Sequence, residues 1–206
     1  MQQPTCKKVR IRSTQDAHKI FYAVQKGLLQ MVTRRLDADE RQALHSGCIY
    51  AWEERGPHSE ITGLGIERFT EGRRWSPSRV RDEFLFYYEK YSPPSDGSQV
   101  GTGSERHPPR DWDPLVKQTY SVWVETEKGR RKWHLTAYFT QQTIDQLGTI
   151  DDIPPVRDLI VPDGHFKSTR VGKNRSKSDE QNTRSGETSK PASTVTRTYA
   201  PFPSYP

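Results

Sequence analysis

Residues 120–139 read YSVWVETEKGRRKWHLTAYF and contain two runs with the sequence pattern of β-strands. Tyr120, Val122 and Val124 alternate with the residues between them, which is the two-residue period of a strand with one buried face. A second run, rich in aromatic and β-branched residues, begins at Trp133 after a turn that contains Gly129. Two such runs around a short glycine-containing turn predict a β-hairpin.

The composition around the hairpin divides the chain into four regions. Residues 9–90 form a first structured block, and residues 114–170 form a second block that holds the hairpin. Between them, residues 91–113 are rich in proline and glycine and almost free of aliphatic side chains, so we expect a flexible connector. Residues 171–206 consist mainly of small polar, charged and proline residues, which predicts a disordered basic tail.

Two helices are predicted in the first block. Ser13 is expected to cap the first helix and Gly27 to end it. Its buried face is expected to carry the apolar residues at three- and four-residue spacing, namely Ala17, Ile20, Phe21, Val24 and Leu28. Asp37 and Glu40 form a capping box for a second helix, which Gly47 is expected to end.

The remaining elements are short. The aromatic run 48–52 is predicted to be a strand, and the run 84–88 either a buried strand or the end of a helix that begins at Ser76-Pro77. In the second block, Thr140 is expected to cap a short helix that Gly148 ends, and the two prolines within 153–156 are expected to break any regular element.

Composition and charge limit the classes of function. The chain has 206 residues with a net charge of +6, and its first 90 residues carry 16 basic and 12 acidic side chains. No apolar run approaches the roughly 18 residues of a membrane span, and the first residues have no apolar signal region, so we expect no membrane or secretory role. Two cysteines are too few for a disulfide scaffold, and a reduced intracellular compartment is the natural interpretation.

Residues 68–81, RFTEGRRWSPSRVR, are the strongest candidate for a binding site. They carry five arginines, and arginine forks suit phosphates, guanine edges and narrow A·T minor grooves. If Ser76 caps a helix with Pro77 at its first position, the free amides there would also suit a phosphate. The alternative is a solvated surface whose arginines pair with nearby carboxylates, and charge pattern alone favours that alternative.

The order of several strings in both blocks resembles the WOPR family of fungal transcription regulators. The strings cover most of residues 9–148 and are IFYAVQKGLL (20–29), VTRRL (32–36), Ser46-Gly47, 66–81, LVKQTYS (115–121) and KWHLTAYF (132–139). The resemblance implies one compact α+β domain over residues 9–170, with strands and helices from both blocks. It also implies a nuclear, sequence-specific regulator that binds double-stranded DNA, with a loop of the first block in an A·T-rich minor groove.

The matched motif carries the candidate DNA-binding residues. They are Arg73 and Arg74 on the loop, Arg68 nearby, Ser76 and Arg79 at the predicted helix start, and Lys117 at the beginning of a strand. Arg34 and Arg35 could contact the DNA backbone, but ion pairs with neighbouring carboxylates are at least as well supported for them.

Other chemistry is poorly supported. His18, His45 and Cys48 lack a fourth ligand at zinc spacing, and no catalytic or phosphate-loop motif occurs, so we expect no metal, no cofactor and no enzyme activity. His134 is expected to be a hydrogen-bonded structural histidine. Two rival functions remain open, namely a protein-interaction module whose basic loop docks an acidic partner and a single-stranded RNA binder that uses exposed tryptophans.

Overall fold

Seven strands and three helices make up the part of the chain that the structure describes. The computed structural model describes residues 1–56, 65–93, 107–127 and 129–170. Its strands are β1 (Ile49–Glu53), β2 (Arg74–Trp75), β3 (Arg79–Arg81), β4 (Phe84–Lys90), β5 (Val116–Thr126), β6 (Gly129–Phe139) and β7 (Lys167–Ser168). Its helices are α1 (Thr14–Gln25), α2 (Ala38–Gln42) and α3 (Pro154–Arg157), with 3₁₀ turns at Ile144–Gln146 and Ile150–Asp152.

The predicted hairpin is the centre of a single antiparallel sheet. β5 and β6 pair along their whole length, from Val116 opposite Phe139 to Thr126 opposite Gly129. The strand order is β1-β6-β5-β4-β2, with β3 also against β4 and β7 also against β5. Strands of the first block therefore flank the hairpin on both sides, which confirms one α+β unit built from both blocks.

Each face of the sheet covers its own apolar core. Strand alternation places Ile49 and Ala51 of β1 on one face and Tyr50 and Trp52 on the other. The first core lies between the sheet and α1 and α3, and its fully buried members include Ile20, Phe21, Val122, Leu135 and Val156. The second core lies on the opposite face, and its members are Val32, Leu36, Leu44, Cys48, Tyr50, Trp52, Ile66, Phe69, Leu115 and Tyr138.

The helix starts were predicted correctly and some of the ends were not. Ser13 caps α1, and the full capping box of Asp37 and Glu40 is present at α2. Gly27 has a φ of 72°, as expected of a residue that ends a helix, but Leu28 follows it and is 47% exposed instead of buried. Gly47 does not end α2, which stops at Gln42; the φ of 90° at Gly47 serves a close approach to the backbone of Lys8.

The second block also departs from the prediction at two short elements. The helix expected after Thr140 is only a 3₁₀ turn at Ile144–Gln146, although the Thr140 hydroxyl accepts a hydrogen bond from the backbone of Thr143. The prolines expected to break regular structure instead begin α3, since proline at the first helical positions loses no internal hydrogen bond.

The predicted helix start at Ser76 is wrong, because no helix begins there and the chain passes from β2 to β3. β3 and β4 form a hairpin whose two turn residues, Asp82 and Glu83, both have positive φ, at 51° and 72°. That conformation matches the twist of paired strands. Ser76 binds the backbone of Tyr88 through its own N–H and hydroxyl, which fixes the approach to this hairpin.

Two predictions lie outside the described residues. They are the disordered tail at 171–206 and the flexible character of most of the connector, at 94–106. Within the described ranges, the helices are all too short or too polar to cross a membrane.

Candidate nucleic-acid interface

We call residues 66–81 the arginine segment. It packs on the second core through apolar side chains. Ile66 and Phe69 are buried, at 1% and 7% exposure. The Phe69 ring stacks on Trp52, with centroids 5.9 Å apart, and contacts Tyr50 at 5.2 Å. The residues just before the loop are therefore held against β1, so the loop leaves a fixed base.

A buried carboxylate holds the loop itself. Glu71 is only 3% exposed, and it accepts hydrogen bonds from the indole Nε1 of Trp75 at 3.1 Å, from Nζ of Lys117 and from the hydroxyl of Tyr138. Burial, together with this carboxylate, holds the pKa of Tyr138 well above its usual value, so the phenol remains a donor. The carboxylate thus joins the arginine segment to β5 and β6.

Arg73 is also tied to the sheet. Its Nη1 lies 2.5 Å from Oε1 of Glu89, which is 11% exposed and also accepts a hydrogen bond from the backbone N–H of Leu115. Gly72 has a φ of 73°, a conformation that glycine adopts without the cost of a Cβ. The chain can therefore turn sharply between Glu71, which contacts β5 and β6, and Arg73, which contacts Glu89 of β4.

Strand alternation sorts the cations onto two faces. Arg74 pairs with Lys90, Arg79 with Phe86 and Arg81 with Phe84, so these side chains share the face of the first core. On the opposite face, Trp75 pairs with Glu89, and Lys117 pairs with Tyr87. We call the exposed set on the first face the cationic edge, and its members are Arg74, Arg79, Arg81 and Lys90.

The cationic edge is open to solvent and nearly free of acidic partners. Arg74, Arg79 and Lys90 form no ion pair with any residue that the structure describes, and Arg81 forms only a loose one, at 3.7 Å from Asp82. The Arg79 guanidinium lies 5.8 Å from the centre of the Tyr88 ring, a cation–π contact that orients it. Four exposed cations on one face of the sheet edge suit a polyanion.

The predicted site residues fall into two groups. Arg68, Arg74 and Arg79 are exposed and have no ion-pair partner among the described residues. Arg73 and Lys117 are engaged by buried carboxylates, and the Ser76 hydroxyl is engaged by the backbone of β4 instead of a helix start. Sequence reasoning did not select Lys90 or Arg81, because their place beside Arg74 and Arg79 follows from the strand register alone.

The remaining candidates have structural partners. Arg34 binds Glu40 at 2.7 Å, which is the ion pair that the sequence left open. Burial raises the pKa of Glu40, but hydrogen bonds from Arg34 and from the backbone N–H groups of Asp37 and Gln2 outweigh it and lower the pKa to about 2. In contrast, Arg35 is exposed and forms no ion pair within the described ranges.

His134 and His18 are held by hydrogen bonds and ring contacts. His134 hydrogen-bonds to Ser121 and Glu54, both at 2.7 Å, and stacks on Trp52, which confirms a structural histidine; burial lowers its pKa. His18 bonds to the Tyr120 hydroxyl at 2.9 Å. In the described part of the chain, no three metal-binding side chains come together.

Comparison with known proteins agrees with this architecture. The model of the Gti1/Pac2 family matches residues 8–112, just over half of the chain, from the residues before α1 to the connector. The chain belongs to the Gti1/Pac2 family. This is the family of the WOPR domain, so the resemblance in the sequence is confirmed.

Relatives of this Gti1/Pac2 protein include named regulators. The cAMP-independent regulatory protein pac2 of Schizosaccharomyces pombe is 36% identical over 104 residues, which cover 49% of this chain and 41% of that protein. The global transcription regulator FGP1 of Gibberella zeae is 40% identical over 90 residues, which cover 43% of this chain and 24% of that protein. The matched part of the chain thus spans less than half the length of either relative.

Two solved structures share the fold. Both are complexes of the WOPR domain of Wor1 from Candida albicans with double-stranded DNA, of 17 and 13 base pairs. They superpose with TM-scores of 0.57 and 0.58 at 26% and 27% identity. The matches cover 78% and 79% of this chain, and 95% and 94% of the solved chains.

Proposed function

We propose that this protein binds double-stranded DNA sequence-specifically and regulates transcription in the nucleus, by binding and not by catalysis. The observation that carries the proposal is the cationic edge, where four exposed cations share one face of the sheet and, among the described residues, only Arg81 has an acidic partner, a loose one. The solved complexes of a related domain with duplex DNA, and relatives named as transcription regulators, support the same function.

The proposed contacts divide by chemistry. Arg74 is the first residue of β2 and not part of the loop where the sequence placed it. The contact of Glu71 with Trp75 fixes the turn before it, so its side chain can enter a narrow A·T-rich minor groove, where the negative potential is strongest, at a small ordering cost. Arg79, Arg81 and Lys90 lie along the adjoining strands and suit the phosphates that flank the groove. Arg68 lies at the beginning of the same segment and adds a further exposed cation.

Arg73, Ser76 and Lys117, which the matched motif also places in the site, have a supporting part in this proposal. Arg73 retains guanidinium donors beyond its contact with Glu89 and is 31% exposed, so a phosphate contact at the loop base is compatible with its geometry. The polar groups of Ser76 and Lys117 form hydrogen bonds within the protein.

The test is a salt titration of binding to three ligands: an A·T-rich duplex, a G·C-rich duplex and a single strand. The proposed function predicts that duplexes bind more tightly than the single strand, and the A·T-rich duplex more tightly than the G·C-rich one. It also predicts that the logarithm of the binding constant falls linearly with the logarithm of the salt concentration. Tighter binding to the single strand would favour the RNA-binding alternative. Weak binding to all three would favour a protein partner.

A matched variant pair makes the same test local. Arg74→Ala removes one charge from the cationic edge, and Arg157→Ala removes one from α3, where Arg157 is 56% exposed and only 3.6 Å from Asp158. We expect weaker and less selective binding for the first variant and nearly unchanged selectivity for the second. Equal behaviour of the two variants would contradict a specific role for the edge.

A further inference from the structure

We infer that Glu71, Lys117 and Tyr138 form a positioning unit that sets how selectively the arginine segment reads DNA, with Lys117 acting on Glu71 and not on the nucleic acid. The inference rests on the proposed DNA-binding function. It assigns to two residues of the second block, on β5 and β6, control over a loop of the first block.

The contacts around Glu71 close the loop into a ring. Trp75 follows Glu71 by four residues and returns its indole Nε1 to the same carboxylate, at 3.1 Å. Gly72, Arg73 and Arg74 lie inside this ring. A loop closed on itself in this way has few conformations to lose on binding, which favours a single direction for the Arg74 side chain.

The second block supplies the other two donors. Lys117 and Tyr138 are direct cross-strand partners in the register of β5 and β6, and both donate to Oε1 of Glu71. The position of the ring is therefore fixed relative to the most extensively paired strands of the sheet. Because paired strands move little, the ring has the rigid support that a recognition loop requires.

The charge of Lys117 is used within the protein. Its side chain is only 13% exposed and lies 5.6 Å from the centre of the Trp75 ring and 5.8 Å from that of Tyr87. It also lies on the face of the sheet opposite the cationic edge. Its ammonium neutralises a carboxylate that would otherwise leave an unpaired buried negative charge three residues before Arg74, where the proposed ligand is a polyanion.

A positioning residue and a phosphate contact differ in two measurable ways. Loss of a phosphate contact weakens binding to every duplex and makes the salt dependence shallower by about one unit in the slope. Loss of a positioning contact leaves the number of phosphate contacts unchanged, so the slope stays while discrimination between sequences falls. The two quantities together separate the roles.

The experiment is a double-mutant cycle on the full chain. Lys117→Met, Glu71→Gln and the combined variant are titrated on A·T-rich and G·C-rich duplexes at several salt concentrations, and melting temperatures identify the range in which all are folded. We expect Lys117→Met to lose about tenfold in the ratio of the two affinities, with an unchanged salt slope. When Glu71 is already replaced by Gln, Lys117→Met should lower the ratio of the two affinities little further.

A milder variant guards against a folding defect. Tyr138→Phe removes one hydroxyl and keeps the ring in its contacts with Tyr50 and Trp75. We expect the same direction of change in the affinity ratio, again at unchanged slope. If Tyr138→Phe leaves the ratio of the two affinities unchanged, the inference is overturned. It is also overturned if Lys117→Met lowers the affinity equally with Glu71 and with Gln at position 71 and makes the salt dependence shallower.

Arg74→Ala, measured on the same duplexes, separates this inference from the proposed function. If Arg74→Ala weakens binding and the Lys117 and Tyr138 variants keep normal discrimination, the positioning unit is refuted and DNA binding stands. If the unaltered protein shows no duplex binding, both the proposed function and the inference are refuted.

Discussion

Arg73 is ion-paired with Glu89 at 2.5 Å, whereas its neighbour Arg74 forms no ion pair with the described residues. Arg73 reaches Glu89, the partner of Trp75 on one face of β4, whereas Arg74 pairs with Lys90 on the other face. The two neighbouring arginines therefore have different roles. One supports the loop, and the other is available to a ligand.

The contrast between these neighbours gives the first prediction. Arg74→Ala should cost about 1–3 kcal/mol of binding free energy on an A·T-rich duplex and less on a G·C-rich one. It should change the free energy of unfolding by no more than about 0.5 kcal/mol, because the side chain is exposed. Arg73→Ala should instead destabilise the fold, because it leaves Glu89 nearly buried and without its cation.

Binding titrations and urea unfolding of the two variants check this prediction. The informative quantity is the ratio of the binding loss to the stability loss, which should be high for Arg74 and low for Arg73. Similar ratios for both variants would contradict the proposal that Arg74 binds the ligand and Arg73 supports the fold.

The second prediction concerns the chemistry at position 74. Arg74→Lys keeps the charge but replaces a weakly hydrated planar fork with a strongly hydrated ammonium, which costs more to strip of water in a narrow groove. We expect it to recover only part of the affinity that Arg74→Ala loses, with the shortfall larger on the A·T-rich duplex. Full recovery on both duplexes would indicate a phosphate contact in place of a groove contact.

The third prediction concerns pH and the first block. The pKa of Glu40 is lowered to about 2 by its hydrogen bonds, from a usual value near 4.5. Because the native-state pKa is the lower one, Glu40 stabilises the fold above about pH 4.5, and this contribution disappears as the pH falls towards 2. Urea unfolding at pH 6 and pH 3 should show a smaller loss of stability for Glu40→Gln than for the unaltered protein. An equal loss would mean that other carboxylates dominate acid unfolding.

Local sequence signals predicted the frame of this fold. The two-residue period at Tyr120, Val122 and Val124 predicts β5, and the caps at Ser13 and Asp37 predict α1 and α2. These signals succeed because each depends on neighbours within a few residues.

The site depended on longer-range contacts. Ser76-Pro77 suits both a helix start and an extended chain, and the Asp82-Glu83 turn lacks the glycine that marks most two-residue hairpins. The engagement of Lys117 by Glu71 joins residues 46 positions apart. No periodicity in the sequence reports such a contact, and the matched motif grouped Lys117 with the arginines.

The fourth prediction concerns residues 171–206, which carry six basic and three acidic side chains. We expect this segment to add affinity through charge alone. A chain that ends at residue 170 should bind every duplex more weakly at low salt, with a shallower salt dependence, and rank the duplexes in the same order. A changed order in a selection from random duplexes would show that the tail reads bases.

The last prediction concerns the two blocks as folding units. β1 pairs with β6 and β4 pairs with β5, so strands of the first block pair with both outer edges of the second block's hairpin. Residues 9–90 expressed alone would leave β1 and β4 without these partners, and residues 114–170 alone would expose the face of the hairpin that α1 covers. We expect neither fragment to show cooperative amide protection, and a mixture of the two to regain part of it. Amide exchange followed by mass spectrometry measures each case, with the chain of residues 1–170 as the control. Cooperative protection in either fragment by itself would contradict the prediction, because a shared sheet has no stable half.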